Sequence, residues 1–250
     1  MRPQFEEIDF QQTPLGEVIL RRRTMQTLGD REIYEIMLGS EFLMSSLFTV
    51  VEEALSTLGL AATEKVFSDT QLDVVVGGLG LGYTAKVALD HQSVGDLIVV
   101  DYLQPVIDWH QRGLVPLGSG LTNDPRCHFE HGDFFKRAVA DGGIGFDSEV
   151  ADRKFHAILL DIDHSPAHLL NERHASFYQA EGLRKMTEQL HSGGTFALWS
   201  DDPPEKNFMA ALNEVFSSVD THVVPFENPI LGRDSESTVY VAQLLADAES

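Results

Sequence analysis

From residue 72 onward, short apolar runs alternate with stretches long enough to hold a crossover helix, and this rhythm limits the chain to very few architectures. The runs fall at residues 72–76, 97–100, 127–130, 157–160 and 195–199. Val74-Val75-Val76 and Ile158-Leu159-Leu160 are continuously apolar, as strands covered on both faces need to be. The pattern predicts an α/β fold, a mostly parallel sheet with helices on both faces. At the C-terminus the rhythm changes. Residues 222–226 and 238–242 are apolar runs with only a loop between them. No helix fits there, so the last two strands are expected to pair antiparallel.

Residues 5 to 40 read differently. Ile8-Asp9-Phe10 and Val18-Ile19-Leu20 flank Thr13-Pro14-Leu15-Gly16, a turn with the fixed φ of Pro and the permissive φ of Gly. Residues 32–37 alternate as a third strand does,. Together they predict a small antiparallel sheet over 1–40, followed by the main domain over 41–250. Leu43, Leu47, Val50, Val51, Ala54, Leu55 and Leu58 recur at helical spacing. Gly59 stands where a left-handed cap would end that helix.

Charge excludes one class of partner. Eighteen Lys and Arg face 39 Asp and Glu, a formal charge of −21. Arg21-Arg22-Arg23 is too short a basic run to hold a nucleic-acid backbone,. Such a surface favours cationic partners or serves solubility alone. The single cysteine, Cys127, excludes an intrachain disulfide,. The first seven residues lack an apolar leader, and no apolar run approaches the ~18 residues of a membrane span. A soluble, cytoplasmic protein without a membrane partner is expected.

In an open parallel sheet, ligands bind beyond the carboxyl ends of the strands. After the first strand comes Gly77-Gly78-Leu79-Gly80-Leu81-Gly82, where glycines let backbone approach a ligand and turn into a helix. This is not the dinucleotide fingerprint, since Tyr83 occupies the third glycine's place,. The second strand ends in Asp101, placed to accept both ribose hydroxyls of an adenosine-containing cofactor. The third runs into His131-Gly132-Asp133, where Asp133 can meet an adenine amino group, cap a helix, or do both. The fourth ends in Asp161-Ile162-Asp163-His164. Asp161, Asp163 and His164 can deprotonate a nucleophile, hold an ammonium group, or bind a divalent metal that Asp202, beside Asp201, would complete. His168 and His174 have no zinc-like spacing with a cysteine.

This order of motifs, with Phe177-Tyr178 and Gly193-Gly194 before strand five, resembles the class I S-adenosylmethionine-dependent transferases. More narrowly it resembles the spermidine synthase group, the aminopropyltransferases. The resemblance implies a Rossmann-like class I methyltransferase fold with a small N-terminal β-sheet, through which such enzymes assemble as homodimers. It implies S-adenosylmethionine or its decarboxylated form as co-substrate, a small amine as acceptor, and a place in polyamine biosynthesis. Gly78, Gly80 and Gly82 would cradle the donor, Asp101 would hold its ribose, and Asp133 its adenine. Asp161 would serve the reaction centre, assisted by Asp163 or His164. Tyr34, in a segment similar to the group's Tyr-Gln-Glu-Met, and Asp202 would face the acceptor.

Two departures bear on the substrate. Gly80 stands where the group carries the acid that contacts the aminopropyl amine. The second acid of the group's Asp-x-x-Asp-Pro falls on His164, with Asp163 one place early. Aminopropyl transfer to an amine is the expected reaction. A methyltransferase of the same fold and a non-catalytic cofactor-binding protein are the alternatives.

Overall fold

In a computed structural model that describes residues 5–140 and 143–247, the rhythm from residue 72 becomes one seven-stranded sheet. The first four and last three residues of the two expected units lie outside the described residues. The parallel strands are β5 (Leu72–Gly77), β6 (Val94–Asp101), β7 (Cys127–His131), β8 (Phe155–Leu160) and β9 (Leu190–Ser200). β10 (Ser218–Asn228) and β11 (Arg233–Gln243) close the sheet. The order is β10-β11-β9-β8-β5-β6-β7. As expected, β10 and β11 pair antiparallel, and β11 also pairs antiparallel with β9.

Alternate residues of each central strand enter two separate cores. Val74, Val76, Leu97, Val99 and Leu159 pack beneath α1 (Val50–Val66), α2 (Tyr83–Asp90) and α3 (Gln104–Gln111). Val75, Ile98, Val100, Ile158 and Leu160 pack on the other face with Phe134, Leu183 and Phe208. These last three belong to α5 (Phe134–Ala138), α6 (Ala180–Thr187) and α7 (Lys206–Val215); the short α4 (Gly118–Asn123) precedes β7. Burial on both faces explains the unbroken apolar runs.

The N-terminal sheet runs β1 (Phe5–Thr13), β2 (Gly16–Met25), β3 (Arg31–Leu38) and β4 (Glu41–Ser45), in that order. Val18, Leu20 and Ile36 join the same core as α1, which fixes this sheet against the main sheet. The three arginines of β2 are held by acids. Arg21 and Arg23 both donate to Glu35, at 2.7 and 2.8 Å, and Arg22 to Glu6 at 2.5 Å.

Two local expectations are corrected. Leu43, assigned by spacing to the helix, lies on β4, because pairing with β3 outweighs a period that this short run shares with a helix. Gly59 does not end α1 but lies within it, where a Cβ would come within 2.7 Å of Leu159 and 3.1 Å of Ala197. It lets the helix approach the sheet. The helix needs no cap there, because its buried stripe continues to Leu60 and Thr63.

Candidate active site

The carboxyl ends of β5, β6, β7, β8 and β9 open into one cavity, roofed by the N-terminal sheet. Its floor is the glycine loop after β5. Gly78 has φ +94°, and a Cβ there would lie 2.0 Å from the Asp161 carbonyl oxygen. Only glycine permits this approach. The loop is held from below by His110 of α3, whose Nε2–H donates to the Gly80 carbonyl at 2.9 Å. Burial pushes His110 down to about 4, so the ring is neutral at physiological pH, and its Nδ1 has no partner among the described residues.

Asp101 ends β6 and lines the cavity. Its two carboxyl oxygens accept from Leu79 N–H at 2.8 Å and Leu103 N–H at 2.7 Å. Burial raises its pKa while these N–H donors oppose the rise. A carboxylate offers about four acceptor sites, so beside these bonds and one from Gly80 N–H the group can brace the loop and still accept a hydroxyl,. Asp133 caps α5, accepting from Phe135 N–H at 3.0 Å and Lys136 N–H at 3.2 Å through one oxygen. Its other oxygen remains for a ligand, so both roles expected of it are open. The fit to an adenosine group is good: a glycine cradle, an acid at the end of β6, and the cavity-lining Phe134 beside Asp133.

Asp161 and Glu52 form the centre. Both line the cavity, one from the end of β8 and the other from the first turn of α1. Thr84 Oγ1 donates to Asp161 at 2.7 Å. Burial lifts Asp161 to about 6. Burial, and next the charge of Asp161, lift Glu52 to about 8. Beyond a bond to its own backbone N–H, the Glu52 carboxyl has no hydrogen-bond partner in the described protein. Both carboxyl groups are thus pushed toward their neutral forms, and ionising one makes ionising the other harder,.

Other expected residues lie elsewhere. Asp163 is buried and turned from the cavity; it accepts from Leu170 N–H at 2.8 Å, Tyr178 O–H at 2.8 Å and His174 Nδ1 at 2.9 Å. Because it does not line the cavity, it is out of reach of a proton on a bound substrate. It instead orients His174, which lines the cavity and stacks on Phe135 at 3.8 Å. His164 lies at the rim, 3.5 Å from Glu41. Asp202 is drawn to Ser165 at 2.6 Å and His168 at 2.8 Å, which lower its pKa, and it does not line the cavity. It does not meet Asp161, and among the described residues no three acids, histidines or cysteines converge as metal ligands. Tyr34 also misses the cavity, because its ring lies under the Arg22 guanidinium at 6.0 Å, while Ile36 and Leu38 on the same strand reach the wall. Gly82 has φ +91° and starts α2 beneath the lining formed by Gly78 and Gly80.

Glu52, Met44, His110, His174 and Trp199 are site residues that motif reading passes over. Glu52 had a signal. It heads a stripe of Ser56, Gly59 and Thr63 at helical spacing, small residues that mark the face of α1 pressed on the sheet,.

Comparison with known proteins bears on the fold. No protein-family model matches the chain. It is 26% identical over 164 residues to polyamine aminopropyltransferase 2 of Pseudomonas aeruginosa, a match covering 62% of this chain. The chain spans only 42% of that relative's length. Its fold superposes on a spermidine synthase of Thermotoga maritima with a TM-score of 0.71 at 16% identity, covering 96% of this chain and 74% of that one. A spermidine synthase in complex with the transition-state analogue AdoDATO gives the same values. Human methyltransferase-like protein 13 in complex with SAH follows at 0.56 and 16%, covering 80% of this chain and 85% of that one. The fold is thus that of the class I S-adenosylmethionine-dependent transferases. Within that class, the resemblance to the spermidine synthase group, N-terminal sheet included, holds.

Proposed function

We propose that this protein transfers an aminopropyl group from decarboxylated S-adenosylmethionine to a small amine. The observation that carries the reading is the pair of carboxyl groups, Asp161 and Glu52, facing one cavity beside the glycine loop. A cationic amine is the ligand such a pair attracts, and it must lose a proton before it can attack. The name of the aminopropyltransferase relative and the AdoDATO in a structural neighbour support the same choice.

In this reading Asp101 holds the donor's ribose and Asp133 its adenine, over a floor formed by Gly78 and Gly80, with Gly82 turning the loop into α2 beneath them. The acceptor ammonium gives a proton to Asp161. The freed nitrogen lone pair attacks the carbon next to the sulfonium, the C–N bond forms, and the C–S bond breaks with its electrons going to sulfur. Methylthioadenosine leaves, and the proton on Asp161 passes to solvent past His164. The N-terminal sheet, β1 to β4, acts as a lid that keeps water from the donor,. Phe5, Phe10 and Phe42, exposed on this sheet, support assembly as a homodimer. Tyr34, Asp163 and Asp202 act through the neighbours they hold.

One observation favours methyl transfer as the second reading. A Cβ at Gly80 would lie 2.6 Å from Met44 Sδ, so a thioether, not a carboxylate, faces the place of the donor's tail. Calorimetry with S-adenosylmethionine and with its decarboxylated form, followed by mass analysis of the amine product, separates the two. Tighter binding of the decarboxylated donor and a product heavier by an aminopropyl group are expected. Preference for the carboxylated donor overturns the proposal.

A further inference from the structure

Beyond the reaction centre the cavity changes character. Its wall there is built by Leu15 from the β1–β2 turn, Ile36 and Leu38 from β3, and Leu43 and Met44 from β4, with Trp199 from β9 facing them. None of these carries a charge. The four acids that line the cavity are Asp101 and Asp133 at the nucleoside end and Glu52 and Asp161 at the centre. Glu41, at the rim, is half exposed and paired with His164.

A diamine brings two ammonium groups. One can sit between Asp161 and Glu52, but a chain extended toward the N-terminal sheet leaves the other against leucine, isoleucine and methionine side chains. A buried, unpaired charge is strongly unfavourable. An alkyl or aryl tail, in contrast, gains by leaving water for this wall.

We infer that the acceptor is a monoamine, one ammonium on an apolar chain, selected over diamines by the uncharged wall of Leu15, Ile36, Leu38, Leu43 and Met44. This rests on the transferase reading and narrows its acceptor.

The test is a calorimetric titration of the full chain, with methylthioadenosine present and ionic strength held constant, by n-hexylamine and by 1,6-diaminohexane. The monoamine is expected to bind at least about tenfold tighter. Leu15→Asp, at a half-exposed turn position where a charge is tolerated in the fold, is expected to narrow or invert that preference. A diamine that binds the unmodified protein as tightly as the monoamine, or more tightly, overturns the inference and leaves the transferase reading standing. Failure of both amines, or of methylthioadenosine itself, to bind overturns both.

Discussion

The thioether of Met44 stands over Gly80 and accepts the Leu81 N–H at 3.0 Å, so one side chain from the N-terminal sheet fills the space a side chain at position 80 would use. Two positions 36 residues apart in sequence are thus one steric unit. Gly80→Asp alone should lower the melting temperature, since its carboxylate meets Met44; its φ of +46° is one that Asp tolerates better than most residues,. In the double variant with Met44→Ala much of the loss should return. The expected coupling is about 0.5–3 kcal/mol, and additive melting shifts would show that the two side chains do not compete.

Asp161→Asn should reduce turnover by about a hundred- to ten-thousand-fold while leaving donor affinity, measured by calorimetry, nearly unchanged. Asp163→Asn should behave differently. It loosens His174 and Tyr178, so thermal stability and donor affinity should suffer more than kcat. A larger loss of kcat at Asp163 than at Asp161 would reverse the roles assigned here.

Glu52 makes the ligand-free protein sensitive to base. Its carboxyl is held above its ordinary range, so the folded state binds a proton that the unfolded state has released. Stability from this group is complete below about 4.5 and declines as pH rises toward about 8,. Glu52→Gln should flatten that part of the melting-temperature profile. An unchanged slope would place the proton elsewhere.

His110 works in the opposite direction. Its pKa falls from 6.5 to about 4 on folding, so the unfolded state takes up a proton that the folded state refuses. Stability from the neutral ring is complete above about 6.5 and is lost as pH falls toward 4,. His110→Phe should remove this acid sensitivity. It should also weaken donor binding, because the Gly80 carbonyl loses its donor; calorimetry at pH 5 and pH 8 checks both effects.

Much of the scaffold is legible because parallel strands buried on both faces must be apolar throughout, as Val74-Val75-Val76 and Ile158-Leu159-Leu160 are. The cavity-lining acids Asp101 and Asp133 follow from strand ends alone. The wall supplied by the N-terminal sheet does not. Leu43 fits a helical period as well as a strand, and only pairing with β3 decides between them, while Leu47 falls in the turn between β4 and α1. Tyr34 shares its face of β3 with Ile36 and Leu38, yet the Arg22 guanidinium holds its ring, a contact between strands that local pattern does not carry. Asp163 and His164 lie in an irregular loop, where no period tells which side chain turns outward. Glu52 enters the site through the packing of α1, far in sequence from every motif it serves.

Gly78 has a consequence for how this scaffold can be altered. With no side chain between them, the glycine loop and the Asp161 carbonyl lie in direct backbone contact, so in the proposed reaction the gap from leaving group to base is set by main-chain geometry. The apolar wall, by contrast, is made of side chains from a different sheet. If the proposed transfer is correct, substitutions at Leu15, Leu38 or Leu43 should retune which amine enters while the spacing of the reacting groups stays as the backbone fixes it.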